Sequence, residues 1–307
     1  MNVPQIIGAA WNEIKELRLD QGKQLLESAI PYAFENPVVL GALKSISFWK
    51  ERSEIFIEHS EPLVQADYFF SQWLTYLEFA KRINLDDEES LYTFKQYAFF
   101  SVKIILEKKL RQSENADPQY TMKLGICEKA LGNYIEAKSN LEKSGGVGQD
   151  NPELLGHLAD VYALLNEPAR AKVLFREAFF IDPQRVPVEL LESELILRLS
   201  DYTKEKYSPE KLAREWLPVY GVIFGVFSVK RELRAVEYGR LRQGIYSLER
   251  EYAHEKEKRE LIEPRLINKY FWQIDHLISI SEEPQKINEV LLKIKSLNPD
   301  IHGLYTK

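Results

Sequence analysis

The chain holds a single cysteine, Cys127. One thiol closes no disulfide framework and builds no cysteine-based zinc site, so stability has to come from packing. Positive charge is not in excess either: 41 lysines and arginines stand against 47 acidic residues, for a formal charge of −6 and a pI near 5.6. That balance, with no continuous basic stripe, argues against nucleic acid as a partner. Long apolar runs are also missing. The longest, Val219 to Val229, covers about half of what a bilayer span requires. The N-terminal stretch MNVPQIIGAAWNEIKELRLDQG has no basic leader, and Glu13 and Glu16 arrive early, so it reads as an amphipathic helix and not a secretion signal. A cytoplasmic location is the expectation.

Catalytic signatures are equally scarce. The five histidines, His59, His157, His254, His276 and His302, never fall within one helical turn of each other, and no His-Glu-x-x-His occurs. No metal site is expected from such spacing. There is no Gly-x-Ser-x-Gly, kinase or dinucleotide motif. Cys127 has no histidine beside it and reads as a buried, inert thiol. An enzyme and a bound cofactor are therefore not expected.

What the chain does have is apolar mass and helical period. Hydrophobic residues make up 45% and aromatics 12%, with 16 Tyr, 15 Phe and 5 Trp, enough for a packed core with rings wedged between helices. Laid over itself at an offset of 34, the middle of the chain repeats. Pro118 falls on Pro152, Leu124 on Leu158, Gly125 on Ala159, Leu131 on Leu165, Ala137 on Ala171, Leu141 on Phe175 and Ser144 on Ala178. Small residues coincide with small ones, which lets two antiparallel helices approach closely. Leu131-Gly132-Asn133 and Leu165-Asn166-Glu167-Pro168 supply helix stops at matching places.

These segments, YTMKLGICEKALGNYIEAKSNLEKS and LLGHLADVYALLNEPARAKVLFREAFFIDP, resemble tetratricopeptide repeats over residues 118–185. The second copy follows the family pattern at Leu158, Ala159, Tyr162, Leu165, Ala171, Phe175, Ala178 and Pro183. The first departs from it at Glu128, where an aromatic is usual, and at Gly148-Gln149, which replace the closing proline region. The resemblance implies an all-α fold, a right-handed αα superhelix, with a concave face lined by the first helix of each repeat. It places Gln119, Met122, Lys123, Ile126 and Lys129 there from one copy, and Glu153, Gly156, His157, Asp160 and Ala163 from the next. Glu153 and Asp160 stand where the family's carboxylate clamp has neutral or basic groups, so a C-terminal carboxylate would be repelled. A helix or extended peptide of mixed charge suits such a groove better.

The glycine-rich stretch SGGVGQDNP, from Ser144 to Pro152, belongs to the same pattern. A phosphate loop needs a strand before it and Gly-Lys-Ser/Thr at its end. Here helical period precedes it and Asn151-Pro152 begins a helix, so it reads as a turn between repeats.

Composition divides the chain into degenerate helical hairpins at 1–117, the repeats with a following helix at 118–200, and a helical C-terminal module at 201–307. Within that module a long helical segment, opened by Leu217-Pro218, is expected to run toward Glu263, with the charged stretch LEREYAHEKEKRE as a solvated face. Lys230, Arg231 and Arg234 follow the apolar VIFGVFSV and form a second candidate surface, for an acidic membrane or protein patch. The segments KRELRAVEYGRLRQGIYSLE and RLINKYFWQID also resemble, without a shared motif, repeat proteins of spirochaete motility collars. The first expectation is a non-catalytic scaffold or adaptor for a protein or peptide. A structural component of a membrane-associated or motility assembly comes second, and a helical enzyme third.

Overall fold

A computed structural model describes residues 2–58, 61–112, 117–145, 150–227 and 232–307, with 54–58 described by backbone alone. Among these residues the regular elements are all helical and no strand occurs. The chain forms two compact units, 1–147 and 148–307.

The first unit holds α1 (Val3–Lys15), α2 (Leu19–Ala29), α3 (Pro37–Glu58), α4 (Pro62–Arg82), α5 (Glu88–Arg111), α6 (Pro118–Ala130) and α7 (Tyr134–Ser144). The second holds α8 (Pro152–Leu164), α9 (Pro168–Ile181), α10 (Glu194–Lys206), α11 (Glu210–Ile223), α12 (Ala235–His254), α13 (Arg259–Ser279), α14 (Pro284–Leu297) and α15 (Pro299–Tyr305). Many of these helices start on a proline, whose missing N–H falls where no helical acceptor exists anyway. Some helices also carry capping side chains: Asp87 accepts from the Ser90 amide at 2.8 Å, and Asn151 from the amides of Glu153 and Leu154.

The 34-residue offset survives in three dimensions. Helices α6 and α8 have the same length and start 34 positions apart. Gly132 closes the first hairpin with φ +86°, and Asn166 closes the second with φ +60°. Past each of them the same bond forms, from the Asn133 amide to the Glu128 carbonyl and from the Glu167 amide to the Tyr162 carbonyl, each at 2.8 Å. Gly125 is needed for the close approach: a Cβ there would lie 2.7 Å from Leu141 Cγ.

The same turn recurs where the sequence showed no register. Leu17, Asn84 and Ser281 also have positive φ, and the amides of Arg18, Leu85 and Glu282 reach back to Glu13, Ala80 and Leu277 at 2.8–2.9 Å. In α1 and α2 the likeness extends to packing. Ala10, Gly22, Leu26 and Ala29 stand in the relation to Leu17 that Gly125, Ala137, Leu141 and Ser144 have to Gly132, and all eight are buried.

The core of α3–α5 is aromatic. Trp49 is fully buried, with the rings of Phe48, Phe69, Tyr76 and Tyr97 within 5.4–5.9 Å of its own. The Tyr76 hydroxyl donates to Ser45 Oγ at 3.1 Å, and Ser45 in turn donates to the Gly41 carbonyl, whereas Trp49 Nε1 is buried without a partner among the described residues.

The long helix expected between Leu217 and Glu263 is divided. Helix α11 starts earlier, at Glu210, and carries Pro218 inside it; α12 ends at His254; α13 starts at Arg259 and runs through Pro264. One break lies between Ile223 and Ala235; the other comes in the charged stretch, where the Arg259 guanidinium folds back onto the carbonyls of Tyr252 and Ala253 at the end of α12. There it replaces the hydrogen bonds that a continuous helix would have made.

Candidate functional site

Helix α6 carries five of the contact residues expected from the repeat pattern. Gln119 is exposed, while Met122, Lys123, Ile126 and Lys129 are buried. Lys123 Nζ lies 2.6 Å from Asp67 Oδ1 on α4 and 5.5 Å from the centre of the Phe70 ring. On α8, Glu153 is half-buried and His157 and Asp160 have no exposed surface. The Asp160 carboxylate accepts from the amides of Glu192 and Ser193, at 2.9 and 2.8 Å, just ahead of α10. It braces a chain reversal that would otherwise bury two unsatisfied donors. On the second expected surface, Arg234 is exposed and pairs with Glu237 at 3.1 Å; Lys230 and Arg231 lie outside the described residues. Burial first, and the Glu128 charge second, push the Cys127 thiol well above its ordinary range, so it stays protonated.

Chemistry gathers elsewhere, in a cavity of about 660 Å³ in the second unit. That volume lies in the range of small-molecule sites. Four segments line it. The end of α9 supplies Phe180, and the turn after it supplies Asp182 and Gln184. Lys211 and Glu215 are four apart at the start of α11. Gly244, Ser247 and Leu248 come from α12, and Arg265, Asn268 and Lys269 from α13. Spacings of three and four put each set on one face of its helix.

Most of the polar groups here are fixed by each other. Glu215 is 1% exposed; its Oε1 accepts from Gln184 Nε2 at 2.9 Å and from the Arg265 guanidinium. Gln184 also donates to the Lys211 carbonyl, and its own amide donates to Asp182. Asn268 Nδ2 donates to the Phe179 carbonyl at 3.3 Å, tying α13 to α9. Behind the cavity Phe180 packs on Trp272 with ring centres 4.2 Å apart, and the buried Arg176 guanidinium, paired with Asp275, lies over the same Trp272.

Lys269 differs from these. Its Nζ sits 5.2 Å from the Phe180 ring centre, and among the described residues it has no hydrogen-bond acceptor or carboxylate within pairing distance. Burial first, and the Arg265 charge second, hold its pKa below the ordinary lysine range, against a smaller opposing pull from Glu215. Gly244 faces it, and a Cβ there would come no nearer than 3.5 Å to the Lys269 side chain.

None of these pocket residues was named as a site residue from sequence, although Pro183 and Leu248 were read there as parts of helical patterns. The signal available was the presence of Arg265, Asn268 and Lys269 on one face of RLINKYFWQID, among large apolar residues. Among the described residues, no three His, Cys, Asp or Glu side chains group as metal ligands, and no helix is long and apolar enough to cross a membrane. Compared with family models, curated proteins and solved structures, the chain matches none.

Proposed function

We propose that the protein is a non-catalytic scaffold or adaptor, built from hairpins of the tetratricopeptide type stacked as a right-handed αα superhelix, that holds another polypeptide. One observation carries this reading: at an offset of 34, α6 and α8 share length, the two hairpins share the turn, and both bury small residues at matching places. A hairpin of this kind covers one side of each helix with its own partner and needs a neighbour or a ligand on the other. The partner-facing residues are those on the first helix of each hairpin that reach solvent, Gln119 on α6 and Glu153 on α8. Both are polar, which suits a mixed-charge helix or extended peptide.

Affinity purification of the full chain tests it, with Gln119→Arg and Glu153→Arg as separate variants. The expected outcome is a co-purifying protein whose recovery falls several-fold in at least one variant, with helicity and unfolding midpoint unchanged. Recovery indifferent to both substitutions, or substrate turnover by the purified chain, overturns the reading.

A further inference from the structure

The cavity between α9, α11, α12 and α13 has its own chemistry, independent of the hairpin faces. Three cations border it, Lys211, Arg265 and Lys269, against two carboxylates. Both carboxylates are engaged, Asp182 by the Gln184 amide and Glu215 by Gln184 and Arg265. Among the described residues, Glu215 Oε2 is a buried acceptor without a donor. Among the described cavity residues the Lys211 and Lys269 ammoniums have no partner, and Lys269, the more buried of the two, also faces the like charge of Arg265. Leaving such a cation at the wall of a cavity is costly, and an anion placed there removes both the missing hydrogen bonds and the repulsion. Gly244 keeps the space beside the amine open, and Leu248 and Pro183 add an apolar rim.

We infer that this cavity is a binding site for a small organic anion, whose carboxylate or phosphate group is held by Lys269 with Arg265 and Lys211, and whose body lies against Pro183 and Leu248. A bare ion would leave most of the volume of about 660 Å³ unfilled.

Pyridoxal 5′-phosphate probes this on the intact chain. Arg265 and Lys211 hold its phosphate in this test, and its aldehyde carbon accepts the Lys269 amine in its unprotonated fraction, with loss of water, to form an imine. Borohydride then delivers hydride to the imine carbon and leaves a stable secondary amine that peptide mass spectrometry locates. Lys269 is expected to be modified at least about tenfold faster than the exposed Lys295, because the held phosphate raises the local aldehyde concentration. Excess inorganic phosphate and excess succinate serve as competitors. Protection by phosphate alone assigns a phosphate ligand, protection by succinate alone a carboxylate, and protection by both the shared oxyanion chemistry.

Gly244→Leu, which fills the space without removing a charge, should abolish the preference while the unfolding midpoint holds; Gly244→Ala, whose Cβ makes only ordinary contact, should weaken it less. Equal rates at Lys269 and Lys295, no protection by either competitor, or fast labelling that persists in a folded Gly244→Leu chain would each overturn the assignment.

Discussion

Between α3, α4 and α5 the space is filled by rings; between α9, α11, α12 and α13 much of it is filled by charge. Around Trp49 the buried polar groups are neutral: Tyr76 donates to Ser45, Ser45 to the Gly41 carbonyl, and Trp49 Nε1 has no partner among the described residues. Around Phe180 and Trp272 the interior holds Arg176, Asp275 and Glu215, with Arg265 and Lys269 at the edge. Rings contribute stability through area and shape and need no partner chosen in advance. Buried charges are favourable only when every one of them is matched, and replacing a matched pair by apolar groups is often neutral or better. The first region is what stability alone would select. The second carries a burden that stability does not explain, and the unmatched ammonium lies where that burden meets a cavity.

The widest test of this contrast is truncation followed by rescue. Trp49→Ala and Arg176→Ala should each cost about 3–5 kcal/mol in urea unfolding. Arg176→Met combined with Asp275→Leu should return close to the parent stability, since it removes both members of the pair. No second substitution should restore Trp49→Ala to the same degree. Failure of the Arg176 rescue would mean that the charges in this region hold the fold after all.

The next test compares two glycines. Gly125→Ala forces a Cβ to within 2.7 Å of Leu141 and should cost about 1–3 kcal/mol. Gly244→Ala meets only ordinary contacts within a helix and should gain about 0.5–1 kcal/mol. Thermal melts of both variants decide it, and equal costs would remove the distinction between a tight hairpin and an open cavity.

A smaller effect is expected at Lys269. Methionine keeps the stem and removes the desolvated charge, so Lys269→Met should stabilise the fold by on the order of 1 kcal/mol at neutral pH. The sign of the pH dependence follows from the lowered pKa. Between the folded value and the ordinary 10.5, the unfolded chain binds the proton more tightly, so parent stability from this group rises with pH. The advantage of Lys269→Met should therefore shrink as pH approaches 10.5, which chemical denaturation at a series of pH values would show. A constant advantage would mean that packing, not charge, separates the two proteins.

The smallest is at the turns. Leu17 occupies left-handed backbone at φ +64°, where a Cβ costs roughly 1–2 kcal/mol, partly offset by the extra freedom glycine gives the unfolded chain. Leu17→Gly should gain a few tenths of a kcal/mol. Asn166→Gly should change less, since asparagine tolerates this region.

Helix starts and the central repeat were legible because both depend on local residue types: proline and asparagine at the start, small residues facing each other at one period. Two helices hinged near residues 19–22 were legible too, but the likeness of the α1/α2 hairpin to the repeat was not, for two reasons. Its turn residue is Leu17, which no turn preference marks, and its spacing from the next similar turn is not a multiple of 34. Family positions put Lys123, Lys129, His157 and Asp160 on an open face, yet all four are buried. Position in a repeat fixes the side of the helix, whereas exposure depends on what packs against it. The cavity was illegible for a third reason. Residues 184, 215, 244 and 269 are ordinary in isolation, and only the fold brings them together.

Five turns, closed by Leu17, Asn84, Gly132, Asn166 and Ser281, end in one and the same back-reaching bond. Its donor lies beyond the last helical residue, where an amide would ordinarily trade its hydrogen for deuterium within seconds. Here each such amide is shielded until its own hairpin comes apart. Arg18, Leu85, Asn133, Glu167 and Glu282 are therefore five matched isotope clocks, and the order in which they lose protection is the order in which the molecule unzips.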